Sequence, residues 1–200
     1  ALTGRRPGPP LHPLTAMAAV IVGAALLALP QNAVAQQERP FGFEVQAGTS
    51  IPVLDLNQTQ KVGVHGGLAG TYAVSDIVRL RVDGLAEYMG GQTVGNTTFG
   101  ELWAYRYTGG ADFTLFEDRG WTLGMNLGAG ATTFDFEGPG TSTEFTAHGG
   151  LTARYPLGGG SELFGRGQWY MSTLQGTDPQ GNDFDLTHSI PVSVGARLTL

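Results

Sequence analysis

The sequence predicts an all-β protein, an eight-stranded antiparallel up-and-down barrel whose apolar face is turned to lipid. Three observations predict it. Residues 36–200 show period 2 almost throughout and little period 3.6. The connections between alternating segments switch between short and long. Aromatic side chains gather at both ends of the apolar parity rather than along it.

Composition sets the outer bounds. The chain has 200 residues with 32 Gly, no Cys and only 14% charged residues. Without Cys there is no disulfide framework and no thiolate metal or iron–sulfur site. Gly shows no three-residue period, which excludes collagen. A formal net charge of −6 argues against nucleic acid as a partner. Lys61 is the sole lysine.

The first element is a segment expected to leave before folding. Arg5 and Arg6 precede an apolar run from Ala16 to Leu29, Pro30 breaks it, and Ala33-Val34-Ala35 offers small residues at −3 and −1. This is the order of a secretory signal peptide over residues 1–35, cleaved after Ala35. The run is too short for a helix that spans about 18–20 residues of bilayer. Residues 36–200 then form the barrel domain.

Eight alternating segments follow. In the first, Phe41, Phe43, Val45 and Ala47 alternate with Gly42, Glu44, Gln46 and Gly48. In the second, Val62, Val64, Leu68 and Tyr72 alternate with Gly63, His65, Gly67 and Thr71. The third sets Val78, Leu80, Val82, Ala86 and Tyr88 against Arg79, Arg81, Asp83 and Glu87. The fourth sets Trp103, Tyr105, Tyr107, Ala111, Phe113 and Leu115 against Arg106, Thr108, Gly110 and Asp112. In the fifth, Trp121 to Ala131 carries apolar odd positions and Gly, Asn or Thr between them. The sixth alternates Phe145, Ala147, Leu151, Ala153, Tyr155 and Leu157 with Thr146, His148, Gly150, Thr152 and Arg154. The seventh is the least clean: Leu163, Trp169 and Met171 alternate with Arg166 and Gln168, but Phe164 and Tyr170 share the polar parity. The eighth has apolar even positions from Leu186 to Leu200.

Ser75-Asp76, Phe116 to Gly120 and Gly158 to Ser161 read as short turns. Thr49–Gln60, Gly90–Phe99, Thr132–Glu144 and Ser172–Asp185 read as long loops, rich in Gly, Asn, Asp, Thr and Pro. An even strand count puts both termini on the short-turn side. Pro191 cannot donate to the ladder, so a bulge is expected there, or an N–H position outside the membrane layer.

A soluble lipocalin-like barrel would place the apolar parity inside; a transmembrane barrel inverts it. Phe41, Phe43, Tyr72, Phe113, Trp121 and Tyr155 fall near the short turns. Tyr88, Trp103, Tyr105, Phe145 and Trp169 fall near the long loops. Two aromatic girdles suit two lipid–water interfaces and have no purpose in a soluble core. About 10 residues per strand at a tilt of about 40–45° also span roughly 25 Å of hydrocarbon. In lipid every backbone polar group must be paired, so strand eight must close on strand one.

The polar parity then faces the lumen. It carries Arg79, Arg81, Arg106, Arg154, Arg166 and Arg197 with Glu44, Asp83, Glu87 and Asp112. Eight strands leave an interior only wide enough for side chains to fill. The expected arrangement is an Arg–carboxylate plug toward the short turns. The rival is an open pore with a cationic constriction.

In these features the chain resembles the OmpA/OmpX-type family of eight-stranded outer-membrane β-barrels, over roughly residues 40–200. The most specific element is the end, Gly195-Ala196-Arg197-Leu198-Thr199-Leu200. The family ends in Gly-x-x-apolar-x-aromatic, which the outer-membrane insertion machinery reads; here Gly195, Leu198 and Leu200 hold those positions, with Leu in place of the aromatic. The resemblance implies a bacterial outer-membrane protein with periplasmic termini, membrane lipid and the insertion machinery as partners, and no cofactor. It implies a non-enzymatic structural, adhesive or stress-protective role carried by the loops, which could also meet an extracellular ligand. A narrow transporter for small hydrophobic or anionic solutes is the alternative, followed by a lipid A-modifying enzyme. For the enzyme, His188 and Ser189 are the residues to weigh, but neighbours in a strand point to opposite faces. His65 and His148 read as lumen hydrogen-bonding groups. Asp178, Asp183 and Asp185 lack the spacing of an EF-hand calcium loop and read as turn formers, so no metal site is expected.

Overall fold

A computed structural model describes residues 40–137, 140–174, 176–177 and 183–200. Residues 1–35, expected to be a signal peptide, and Asp178 lie outside the described residues.

Eight long strands form the wall: β1 (Phe41–Val53), β2 (Gly63–Ala73), β3 (Val78–Met89), β4 (Leu102–Asp118), β5 (Trp121–Phe136), β6 (Gly140–Gly158), β7 (Ser161–Ser172) and β8 (Thr187–Thr199). Each pairs antiparallel with its sequence neighbours, and the sheet closes on itself. The closing seam is continuous from Gly42 opposite Thr199 to Val53 opposite His188. The closed wall has no edge strand among the described residues, which is the condition for a sheet surrounded by hydrocarbon.

The two faces are inverted relative to a soluble protein. Outward positions are apolar and open: Val194 is 71% exposed and Tyr107 62%. Inward positions are charged and closed: Arg166 is 2% exposed and Glu87 0%. In water, a continuous apolar wall of this kind would be an association surface. In a bilayer it is the solvated face.

The short-turn end follows from local chemistry. Between β4 and β5, Arg119 and Gly120 both take positive φ, 47° and 86°. That is the handedness of a two-residue hairpin turn matching strand twist. Between β6 and β7, Gly158, Gly159 and Gly160 take φ of 89°, 63° and 80°, which only glycine tolerates in series. The segment 116–118 expected in a turn is strand instead, and a register shift between Thr114 and Phe116 turns both Leu115 and Phe116 outward.

The loop end corrects the sequence reading most. Residues 132–144 are not a loop but a hairpin rising above the wall, paired from Thr132 opposite Glu144 to Phe136 opposite Gly140. Its pairing continues past the point where outward-facing apolar side chains stop, so it reads as loop only when strands are expected to end at the hydrocarbon boundary. β1 likewise runs on to Val53 and passes into a 3-10 helix, Leu54–Gln58. The second loop holds a small hairpin, Thr93–Val94 with Thr97–Thr98, and the fourth a short pair, Gly176–Thr177 with Asp183–Phe184.

Pro191 makes no bulge. It is buried opposite Ser50, and on the β7 side the ladder skips from Ser189 opposite Tyr170 to Val192 opposite Gly167. The register is the same on both sides of the gap, so the missing donor is absorbed by a local break in pairing.

Candidate functional site

The lumen is filled in two layers. Toward the short turns lies the arginine–carboxylate network, and Arg166 of β7 is its centre. Its Nη2 donates to Glu44 Oε2 at 3.1 Å, its Nη1 to Gln46 Oε1 at 3.1 Å and its Nε to Thr152 Oγ1 at 3.0 Å. The guanidinium also lies 4.5 Å from the centre of the Phe164 ring. Arg81 approaches Glu44 at 3.2 Å and Asp83 at 3.6 Å. Arg154 donates to Asp112 at 3.1 Å. Arg197 donates to Glu162 at 3.1 Å and to Thr71 at 3.2 Å, and Arg79 lies 3.8 Å from the same Glu162. The planar five-donor head of arginine is what lets one side chain tie three strands.

Higher in the barrel, Arg106 and Glu87 form a buried ion pair. Arg106 also donates to Ser189 at 2.9 Å and sits 4.7 Å over the Tyr170 ring. His65 is hydrogen-bonded to Ser50 at 3.0 Å and Ser193 at 2.9 Å, joining β2 to β8 across β1. His148 packs on the Tyr170 ring at 4.8 Å.

The second layer closes the loop end and is apolar. Leu56 of the 3-10 helix, Met89, Leu102, Ala104, Phe134 and Leu174 form one buried cluster, with Phe136 packed against it. All but Leu56 and Leu174 come from wall strands on the inward parity.

All ten charged residues expected in the lumen lie there, in buried or part-buried positions. Sequence reasoning missed Glu162, which shares the inward parity of Arg166 and Gln168 and was legible by that count. It also missed the use of Phe164 and Tyr170 as stacking platforms: what looked like a blemish in strand seven holds two arginines. Gly195 and Gly128 make room for this. A Cβ on Gly195 would lie 2.4 Å from the Phe164 ring and 2.3 Å from the Val45 carbonyl; one on Gly128 would lie 2.5 Å from the His148 ring.

The outward aromatics pair along the rims. Phe41 meets Tyr72 and Trp121 meets Tyr155, each at 5.0 Å, on the short-turn side with Phe43 and Phe113. Tyr88, Trp103 and Tyr105 form a run on the loop side, at 5.1 and 6.1 Å, with Phe145 and Trp169 further round. Leu198 and Leu200 point outward at the chain end, whereas Gly195 lies against Phe164. His188 accepts from Trp169 Nε1 at 3.0 Å on the outer face, while Ser189 binds Arg106 in the lumen. The two are on opposite sides of the wall and form no nucleophile–base pair.

No family model and no curated protein matches the sequence. Solved structures do resemble it. Neisserial surface protein A matches with a TM-score of 0.53 and 16% identity, over 80% of this chain and 97% of its own. Ail, the attachment invasion locus protein of Yersinia pestis, in complex with the heparin analogue sucrose octasulfate, matches with a TM-score of 0.50 and 14% identity, over 81% of this chain and 100% of its own. The chain has the OmpA/OmpX-type outer-membrane barrel fold. At this identity the likeness extends to the fold alone, because one barrel serves many functions.

Proposed function

We propose that the protein is an integral outer-membrane barrel that acts by presenting its loop end, not by conducting through its lumen. The observation that carries this reading is the filled interior: a polar network from Glu44 to Arg197 below, and the cluster around Met89, Leu102 and Phe134 above. A solute path would have to break both layers. The reading includes export by the 1–35 signal peptide, periplasmic termini and no enzymatic activity. The separation of His188 from Ser189 supports the last of these for that pair.

Loop charge narrows the partner. Among the described side chains, the loop end carries Glu101, Asp135, Glu137, Glu144 and Asp185 against Lys61. Such a rim repels a polyanion of the heparin type crystallised with Ail and attracts a basic surface. Two measurements test the proposal. Purified barrel in planar bilayers is expected to give no conductance above leak; stepwise, reproducible channels would establish the transporter instead. Barrel in neutral-lipid vesicles is expected to be retained by a polylysine-bearing matrix at low salt and to pass a heparin-bearing one; retention by heparin would sink the basic-partner reading.

A further inference from the structure

The short-turn opening of the lumen holds three arginines around two acids. Arg79 on β3, Arg154 on β6 and Arg197 on β8 converge there. Their nearest acids are Glu162 on β7 and Asp112 on β4. Both acids are shared. Glu162 is held by Arg197 at 3.1 Å and reaches Arg79 only at 3.8 Å. Asp112 is held by Arg154 at 3.1 Å and lies 3.8 Å from Arg166. Nε and Nη1 of Arg79 and Nε of Arg154 are buried and find no hydrogen-bond acceptor among the described residues, and Asp112 Oδ1, which also lacks a partner, is not placed to serve them.

Buried guanidinium nitrogens without acceptors are costly, and in a native protein they call for a water or an ion. Three cations around two carboxylates leave an excess of positive charge, which selects an ion, and a negative one. The planar N–H forks of arginine match pairs of oxygens on a tetrahedral oxyanion better than a spherical halide. Access also fits. The Arg79 and Glu162 side chains are 17% and 25% exposed, whereas Arg166 and Phe164 fill the lumen above them. The ligand is therefore small, and it enters from the short-turn side. Lipid headgroups on the outer face do not reach an inward site.

We propose that this mouth is a binding site for one small oxyanion, with Arg79 as the principal ligand and Arg154 and Arg197 flanking it. The proposal concerns the short-turn mouth and stands apart from the reading of the loops. Inorganic phosphate is the probe, titrated into the folded full barrel in detergent and read by phosphorus NMR line broadening and calorimetry. Binding is expected to saturate at one phosphate per barrel, with sulfate competing and chloride at equal ionic strength not competing. Arg79→Gln is expected to weaken it about tenfold or more, the scale of losing one charge-assisted hydrogen bond. Glu162→Gln is expected to tighten it, because the competing carboxylate is gone.

Each variant is first checked for a retained compact band on an unheated detergent gel. If Arg79→Gln does not keep that band, Glu162→Gln decides alone. Non-saturating binding, equal displacement by chloride, or unchanged affinity in both variants overturns the proposal. Glu38 precedes the first strand in sequence and lies outside the described residues, so Glu38→Gln is included as a control. Phosphate binding that emerges only in Glu38→Gln would show that the chain's own carboxylate serves Arg79, and would also overturn it.

Discussion

The two layers of the lumen solve the same problem with opposite chemistry. Both must fill the inside of an eight-stranded wall, where the inward parity of every strand is buried. Near the short turns the filling is ionic: Arg166, Arg81 and Glu44 are each tied to at least two partners. Near the loops it is apolar: Leu56, Met89, Leu102, Ala104, Phe134 and Leu174 share one cluster. The difference follows what surrounds each layer. The polar network lies within the strands whose outer face meets hydrocarbon, so the alternation that puts apolar groups outside puts polar ones inside. The cap lies where strands rise above that wall and the hairpin 132–144 stands in water. There an apolar inside is the ordinary soluble arrangement, and Thr133 and Thr143 hydrogen-bond at 2.9 Å on the exposed side. The barrel thus changes solvent along its length, and its interior changes with it.

The layers should therefore fail differently. Glu44 accepts from Arg166 and faces Arg81 at 3.2 Å, with both guanidiniums buried. Glu44→Gln keeps the shape and removes the charge, leaving two buried cations short of a counter-ion. Breaking a buried pair in this way costs about 3–5 kcal/mol. The whole barrel should lose stability, seen as a lower urea midpoint for conversion of the compact gel band to the unfolded one. A midpoint equal to the parent would mean that the network fills space without holding strands together.

This contrast also explains what was legible in the sequence. Parity alone placed Glu44, Arg81, Asp112, Arg154 and Arg166 inside, because one residue in two must face each way and lipid excludes charge from the other side. The same parity carries Met89, Leu102, Ala104 and Phe134 inward, but there the rule that inward means polar no longer holds. By hydropathy, Phe134 on the inward parity of β5 departs from the pattern, so the alternation reads β5 only to Ala131 and residues 132–144 as a loop. Glu162 escaped for a smaller reason: it sits at a strand end beside Ser161, where turn and strand composition overlap. Which guanidinium meets which carboxylate was never legible. Arg166 and Glu44 are 122 residues apart, and only barrel closure brings β7 within reach of β1 across β8.

The apolar layer should fail locally and by less. Leu102 is fully buried in the cap, and truncation to Ala costs at least about 2 kcal/mol in a well-packed core. Here the low end is expected, because Leu56 and Leu174 belong to the connections and can settle into the space. The loss should fall on those connections and not on the wall. The amides of Thr59 and Gln60, which donate to the Leu56 carbonyl at 3.2 and 2.9 Å, report whether the 3-10 turn stays docked. In Leu102→Ala they should exchange with solvent deuterium roughly thirtyfold faster, the ratio equivalent to about 2 kcal/mol of local opening. The urea midpoint should move far less than in Glu44→Gln. Equal drops in the two midpoints, with no change at Thr59 and Gln60, would make the lumen one cooperative core. Faster exchange confined to those amides would make the cap a separately opening lid on a rigid barrel, placing the protein's mobility at the acidic rim where a partner would meet it.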